Sequence, residues 1–183
     1  LFHILKFNKI KSVICGNFGI PACSINDPGE NGVIILELSS YQLDGAKSLS
    51  LDIATIINIT PDHLDYHETF DRYVSSKLKI INFLKRNGIF IYDKSNKLLN
   101  KIIDTNKYKS LKFSSVNEKE AKDFINDNNY LKGNHNAINA SIAISIAKKL
   151  NINDNKIELA IKRFEGLSHR MEPLYISNNF RII

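Results

Sequence analysis

The stretch GVIILEL, residues 32–38, decides the fold class of this chain. It is a continuous apolar run, rich in β-branched residues, of the kind that forms a strand buried on both faces of a sheet. The runs IATIINI at 53–59 and GIFIY at 88–92 repeat this pattern, and SVIC at 12–15 is a shorter strand candidate. Such strands are typical of a mainly parallel sheet that is covered by helices.

Segments with helical spacing separate and follow these strands. In residues 69–85 the apolar side chains recur every three or four positions, and the first residue is a Thr, a suitable N-cap. Further helices are predicted over 135–150, over 153–164 and after the tight turn GNFG at 16–19. Because strands and helices alternate, we predict an α/β fold with right-handed crossovers and a mainly parallel sheet flanked by helices.

The composition of the 183-residue chain is that of an ordinary globular protein, with 43% hydrophobic and 24% charged residues. The formal net charge is +6, and the isoelectric point is near 9.2. The Lys residues are scattered among Asn, Asp and Glu, and no basic run carries interleaved aromatic residues. We therefore predict no nucleic-acid partner.

Cysteine usage and hydropathy exclude several other classes of protein. Cys15 and Cys23 are the only cysteines, so a disulfide scaffold and a Cys-ligated zinc site are excluded. No apolar run approaches the roughly 18 residues of a membrane span, and the first residues lack the pattern of a signal peptide. A cytoplasmic protein with no membrane partner is the expectation.

Polar side chains follow three of the predicted strands, where an open parallel sheet binds its ligands. If these strands are adjacent, one rim collects Asn17, Glu37, Ser39, Asn58, Asp62 and His63. Glu37 ends an otherwise apolar run, and a carboxylate there needs a partner. The spacing alone leaves two interpretations open: Glu37 binds a divalent cation, or it caps a helix or pairs with an Arg.

The segment DHLDYH at 62–67 places two histidines at i and i+4. A zinc site is disfavoured because the Glu of an HExxH motif is absent, and Asp62 and His63 are better neighbours of a Mg²⁺ ion. Lys77, on the helix that follows, is not singled out by its spacing.

The helix at 135–150 begins with two Asn residues at i and i+3. Asn136 and Asn139 suit an anion or the edge of a nucleobase, although they equally suit a helix cap. Arg170, after a Gly turn, is a candidate phosphate contact.

Several of these motifs occur in one order and at intervals that resemble the central domain of the Mur ligase family: ELSSYQL at 37–43, NITPDHLDYH at 58–67 with SSK at 75–77, GNHNAINA at 133–140 and GLSHRME at 166–172. The string ELSSYQL and the opening GNFGIPA at 16–22 are most similar to the branch that adds D-glutamate. The resemblance covers the chain from about Ser12 to Ile183.

The resemblance implies a role for each matching position. Glu37, His63 and Lys77 resemble the Mg²⁺ site, with Lys77 as the lysine that CO₂ carbamylates; Lys77, His63 and Asp62 are the implied catalytic residues. Asn17 and Ser39 resemble contacts to the substrate UDP-N-acetylmuramoyl-L-alanine. The implied nucleotide contacts, for ATP, are Asn136, Asn139 and Arg170. The implied reaction phosphorylates the substrate carboxylate with ATP, and the amine of D-glutamate then displaces phosphate.

The chain also departs from the family pattern, since no GxxxxGK[ST] phosphate loop occurs in it. Residues 1–183 are therefore expected to be a partial central domain that lacks its first phosphate-loop unit, with 172–183 leading toward a C-terminal domain. Alone, the chain is expected to show no ligation. The alternatives are a non-catalytic remnant of such a ligase, or another Mur-type or folylpolyglutamate-type ligase, which ELSSYQL and GNFGIPA disfavour.

Overall fold

The computed structural model describes residues 1–104, 108 and 111–167, together with the backbone of two short strands at 175–176 and 181–182. Its strands are β1 (Ser12–Gly16), β2 (Val33–Glu37), β3 (Leu51–Ile56), β4 (Leu84–Asp93), β5 (Lys112–Val116), β6 (Tyr175–Ile176) and β7 (Arg181–Ile182). β1 pairs with β2, and β4 lies between β3 and β5, all in parallel. Strands β6 and β7 form an antiparallel pair. The mainly parallel sheet predicted from the sequence is confirmed.

The helices are α1 (Phe2–Phe7), α2 (Ser40–Gly45), α3 (Leu64–His67), α4 (Phe70–Asn82), α5 (Lys97–Ile103), α6 (Lys119–Ile125), α7 (Asn134–Lys149) and α8 (Asp154–Lys162). The predicted cap of α4 is present, since the Thr69 hydroxyl accepts a hydrogen bond from the Arg72 N–H. In the same way, the Asn153 side chain caps α8. Among the described helices, none is long and apolar enough to cross a membrane.

Helices α4 and α7 cover opposite faces of the three-stranded sheet. Alternate residues of a strand point to opposite faces, so Phe90 packs with the α4 side whereas Ile91 packs with the α7 side. Helix α7 also buries Ile144 and Ala147 against α1 and α8, in a core that Val33 of β2 joins. Helix α7 is therefore apolar on two sides, which explains why its sequence is rich in Ala and Ile.

The prediction of a helix after the GNFG turn is wrong. Only a three-residue 3-10 turn, Ala22–Ser24, forms there. Pro21 precedes this turn, while Pro28 and Gly29 follow it closely. Prolines remove backbone donors and fix φ, so the segment lacks the length that a helix needs.

Strand β5 and helix α6 were not expected from the sequence. β5 reads KFSSV, a short run with two serines, and it becomes a strand because β4 offers it a parallel partner from Ile89 to Asp93. Helix α6 buries Ala121 in the core shared with α7 and α8. Tertiary packing thus sets the structure of a stretch whose own sequence is polar.

Candidate functional site

Strands β1 and β2 end side by side and bring Asn17 next to Glu37. The Asn17 N–H donates to the Glu37 carbonyl at 2.9 Å, and its side-chain amide lies 3.4 Å from Glu37 Oε1. Gly16 makes this approach possible, because its φ is +100° and a Cβ there would lie 2.2 Å from the Glu37 carbonyl oxygen. The described partner of the Glu37 carboxylate is therefore an amide, neither a helix terminus nor an Arg, and the side chain is exposed.

Ser39 begins helix α2 and uses its polar groups in a capping box. Its Oγ accepts from the Gln42 N–H at 3.3 Å, while the Ser39 N–H donates to Gln42 Oε1 at 2.9 Å. The predicted substrate contact at Ser39 stays a prediction, and Ser39 also has this local structural role.

The loop after β3 holds Asp62 and His63. His63 has a left-handed backbone with φ of +52°, and its N–H donates to Asp62 Oδ1 at 2.9 Å. The His63 ring nitrogen Nε2 lies 3.5 Å from Asp62 Oδ2. Both side chains are exposed. The pair therefore faces solvent.

Helix α4 carries Lys77 to the end of β3. The Lys77 ammonium donates to the Asn58 carbonyl at 3.0 Å and lies 4.9 Å from the centroid of the Tyr73 ring. The first contact is a hydrogen bond to a backbone carbonyl, and the second is a cation–π contact. The structure thus gives Lys77 a defined place at the strand end, which its helical spacing did not reveal.

The second histidine of DHLDYH has a different role from the first. His67 is only 3% exposed, and its Nε2 shares a 2.9 Å hydrogen bond with the equally buried Ser40 hydroxyl. The Tyr41 ring contacts both histidines, with centroids 4.8 Å from His63 and 5.7 Å from His67. His67 is therefore committed to holding α3 on α2, which accords with the disfavoured zinc pair.

Tyr41 links the segment after β2 to the loop after β3. Desolvation and the nearby carboxylates of Asp65 and Asp62 raise the pKa of the Tyr41 phenol, so it stays neutral at physiological pH. We call the exposed or half-exposed set at the ends of β1, β2 and β3 the strand-end site: Asn17, Glu37, Asp62, His63 and Lys77.

The strand-end site does not contain a ready metal cage. In residues 1–104, 108 and 111–167, no group of three or more His, Cys, Asp or Glu side chains is placed to hold a metal ion. A single carboxylate such as Glu37 nevertheless suits Mg²⁺, which proteins bind through one or two carboxylates while phosphate and water oxygens complete the shell.

A group of polar contacts between α2 and α4, beside the strand-end site, was not predicted from the sequence. The Asp44 carboxylate accepts from Lys79 Nζ at 2.7 Å and from the Ser76 hydroxyl at 3.1 Å, which joins α2 to α4. These hydrogen bonds, with the charge of Lys79, lower the pKa of Asp44. The partners are more than 30 positions apart, so no local pattern signals the contact.

A cavity of about 430 Å³ lies beside the N-terminal half of α7. We call it the α7 cavity. Its walls come from α1, the 130–131 segment, α7 and the end of α8, and they are mainly apolar. The predicted pair Asn136 and Asn139 lies in its lining. The structure thus brings these two residues together at a cavity of the size that small ligands use.

The two Asn residues differ in their surroundings. The half-buried Asn136 donates from Nδ2 to the Lys132 carbonyl at 2.9 Å, which holds the loop before α7, whereas Asn139 is exposed. Asn136 therefore has the capping-like role that the sequence left open, and it also borders the cavity. The third predicted nucleotide contact, Arg170, lies outside the described residues.

A mainly parallel β-sheet arrangement covered by helices, with a mainly apolar cavity beside α7, defines an α/β domain. Residues 17–132 match the profile of the Mur ligase middle domain. This match spans more than half of the chain, which therefore belongs to the Mur ligase family.

Curated relatives align with this sequence over nearly its whole length. The UDP-N-acetylmuramoylalanine–D-glutamate ligase of Zymomonas mobilis is 34% identical over 174 residues, which is 95% of this chain and 39% of that protein. The enzymes of the same name from Bacillus cereus and Rickettsia prowazekii are 33% and 31% identical, and each alignment covers 97% of this chain. The chain spans about 40% of the length of these relatives.

Solved structures show the same fold at much lower identity. MurF from Acinetobacter baumannii superposes with a TM-score of 0.64 at 13% identity, over 97% of this chain and 51% of that one. A UDP-N-acetylmuramate:L-alanyl-γ-D-glutamyl-meso-diaminopimelate ligase from Neisseria meningitides gives 0.60 at 13% identity, over 91% and 61%. These likenesses establish the architecture.

Proposed function

We propose that this chain is the nucleotide-binding centre of a cytoplasmic, ATP-dependent ligase of peptidoglycan synthesis. The ligase joins D-glutamate to UDP-N-acetylmuramoyl-L-alanine. The observation that carries the proposal is the identity of 31–34% to enzymes named for this reaction, across 95–97% of the chain. The motifs ELSSYQL and NITPDHLDYH lie within that span.

The proposed reaction has two steps, phosphoryl transfer and then amide-bond formation. A carboxylate oxygen of the muramoyl-alanine substrate attacks the γ-phosphorus of ATP, and ADP leaves. The D-glutamate amine then attacks the acyl carbon, loses a proton and expels inorganic phosphate. Both steps build negative charge on phosphoryl oxygens, so the protein must place positive charge and hydrogen-bond donors around them.

The α7 cavity would hold the nucleoside part of ATP. Its apolar walls suit the faces of a planar base, and the amides of Asn136 and Asn139 offer both donors and acceptors to its edge. Arg170 would contact a phosphate. The volume of about 430 Å³ is within the range of small-molecule sites.

Mg²⁺ would sit at the strand-end site with Glu37, His63 and Lys77 as its protein neighbours. Bound there, the ion would neutralise charge on the transferring phosphoryl group. Asp62 would orient the His63 ring, to which it already lies close at 3.5 Å. Asn17 would hold the Glu37 carboxylate through the existing amide contact.

Lys77 would act as a carbamate. The neutral Nζ adds to the carbon of CO₂ and releases one proton, which leaves an anion at the end of the side chain. The contacts of Lys77 with the Asn58 carbonyl and the Tyr73 ring suit the ammonium form instead. Carbamylation therefore requires Nζ to leave these partners, and a cation at the strand-end site would favour the exchange.

Asn17 and Ser39 would contact the muramoyl-alanine substrate. The second N–H of the Asn17 amide is available beside its contact with Glu37. The Ser39 hydroxyl would exchange its 3.3 Å contact with Gln42 Oε1 for a substrate oxygen. Both residues border the end of β2, so this substrate would lie next to the proposed metal.

A chimaera tests the proposed reaction. Residues 12–167 of this chain replace the matching segment of the Zymomonas mobilis ligase, and phosphate release is measured with ATP, UDP-N-acetylmuramoyl-L-alanine and D-glutamate. We expect release that needs all three substrates and that L-glutamate does not support. A folded chimaera that releases no phosphate, or that accepts L-glutamate equally, would refute the assignment.

A second measurement tests the nucleotide site alone. ADP is titrated into the chain and into its Asn139→Ala variant by calorimetry. We expect saturable binding that weakens about fivefold in the variant, because a lost hydrogen bond to the base is worth about 1 kcal/mol. Asn96→Ala, at the cap of α5, is the matched control and should leave the affinity unchanged.

A further inference from the structure

Asn128 lies in the Asn-rich segment between α6 and α7, yet its side chain is buried. It is 4% exposed and makes three short hydrogen bonds. Its Nδ2 donates at 2.7 Å to the carbonyls of both Ile161 and Phe164, and its Oδ1 accepts from the Tyr130 N–H at 2.8 Å. Every polar atom of the side chain is thus in use.

The partners of Asn128 all line the α7 cavity. Tyr130 belongs to the segment before α7, whereas Ile161 and Phe164 belong to the C-terminal end of α8, more than 30 positions later. One amide therefore joins two walls of the cavity. The Ile161 carbonyl lies in the last turn of α8 and also accepts from the Phe164 N–H at 3.0 Å, whereas the Phe164 carbonyl lies just beyond the helix.

Two further contacts hold the same two walls. Tyr130 packs on Gly166, where a Cβ would lie 2.8 Å from the Tyr130 ring. Phe164 meets the edge of the His3 ring, with centroids 5.3 Å apart, and His3 Nε2 lies 2.8 Å from the Ala160 carbonyl. The aromatic side chains of the cavity are therefore fixed from both sides, with Asn128 at the centre.

We infer that Asn128 is a positioning residue for the nucleotide: it sets the spacing of the Tyr130 and Phe164 walls between which the base lies. This inference rests on the proposed nucleotide function of the α7 cavity. Asn128 itself does not line the cavity. Removing its amide leaves the Phe164 carbonyl and the Tyr130 N–H without their buried partner, while the Ile161 carbonyl keeps the Phe164 N–H. The walls then move apart to reach water.

The test is titration of the chain with ADP and with adenosine by calorimetry, at a temperature where every variant is folded. For Asn128→Ala we expect both affinities to fall by about tenfold or more and by the same factor, because the cavity takes the nucleoside part. Asn128→Asp keeps the acceptor for the Tyr130 N–H but loses both donors, so it should weaken binding similarly. Gly166→Ala pushes on Tyr130 from the other wall and should also weaken binding.

The matched control is Asn153→Ala, which removes the cap at the opposite end of the same helix. It should lower the melting temperature and leave both affinities within about twofold, since a cap contributes stability alone.

Unchanged affinity in folded Asn128→Asp and Gly166→Ala would overturn the positioning role while ADP binding by the unaltered chain persists. Loss of adenosine binding in Asn153→Ala would also overturn it. No saturable binding by the unaltered chain would instead overturn the nucleotide proposal, and this inference with it.

Discussion

The α7 cavity and the strand-end site are built in different ways. The cavity walls are joined by buried hydrogen bonds of 2.7–2.8 Å from one amide. The strand-end site depends on exposed contacts, such as the 3.4 Å approach of Asn17 to Glu37 and the 3.5 Å approach of His63 to Asp62. Exposed charged contacts are worth about 0–1 kcal/mol, and a broken buried hydrogen bond costs about 1–3 kcal/mol.

This difference indicates that the geometry of the strand-end site depends on its ligands more than the geometry of the α7 cavity does. The cavity has its shape before a ligand arrives, so the free-energy cost of ordering its walls when a nucleoside binds is small. The contacts of the strand-end site are exposed, so groups that bind there would compete with them. Changes at one site should therefore leave the other largely intact.

The largest effect is expected at Lys77. In the chimaera, Lys77→Ala should lower the rate of phosphate release by about 100-fold or more, because an electrostatic group at the reacting phosphoryl is lost. Small carboxylates at high concentration should restore part of the rate, since the proposed carbamate is an anion. ADP affinity should stay unchanged if the two sites are independent.

Two variants control this experiment. Lys97→Ala, on the exposed start of α5, should change the rate little. Lys77→Arg should fail to rescue, because a guanidinium keeps its charge and cannot be carbamylated. Near-full activity in Lys77→Arg would show that Lys77 acts as a plain cation or has no role.

The next largest effect is expected at Gly16, measured as the free energy of unfolding in denaturant. Gly16→Ala places a Cβ 2.2 Å from the Glu37 carbonyl at a φ of +100°, so β1 and β2 must separate at the strand-end site. Gly29→Ala has a similar φ of +92° but no neighbour within 4 Å, and it therefore isolates the backbone strain. We expect the free energy of unfolding to fall by about 1 kcal/mol in Gly29→Ala. In Gly16→Ala it should fall by about 2 kcal/mol more. Equal losses would contradict the close approach.

A smaller effect is expected from the buried pair His67 and Ser40. His67→Phe keeps a ring among the aromatic neighbours but removes the 2.9 Å hydrogen bond, and it should cost about 1–2 kcal/mol of stability. Ser40→Ala should cost a similar amount, and the double variant should cost less than the sum. Strict additivity in this double-mutant cycle would show that the pair does not act as a unit.

The smallest effect is a pH dependence at Asp44. Because the native contacts lower its pKa from the ordinary value of 3.8, its contribution to stability is complete above about pH 4 and is lost as the pH falls through the lowered value. Asp44→Asn should remove this part of the acid sensitivity, and Ser76→Ala should reduce it. The measurement is the denaturation midpoint at pH 6 and at pH 3. An unchanged pH response in Asp44→Asn would contradict the assignment.

Sequence periodicity predicted β1 to β4 and helices α4, α7 and α8, because continuous apolar runs and helical stripes report burial directly. It missed β5, whose serines carry no strand signal, and it placed a helix after GNFG, where Pro21 and Pro28 prevent one. At the candidate site it identified Asn17, Glu37 and His63 as strand-end polar residues, since a polar side chain after an apolar run stands out locally.

What the sequence by itself determined is the order of buried strands and helices and the family motifs, because each of these is a pattern within one short segment. Only the tertiary structure decided which side chains meet. The amide of Asn128 and the Ile161 carbonyl are 33 positions apart, and His67 and Ser40 are 27 apart. Such pairs form because burial leaves a polar atom no other partner, and which atoms are buried together depends on how the whole chain packs.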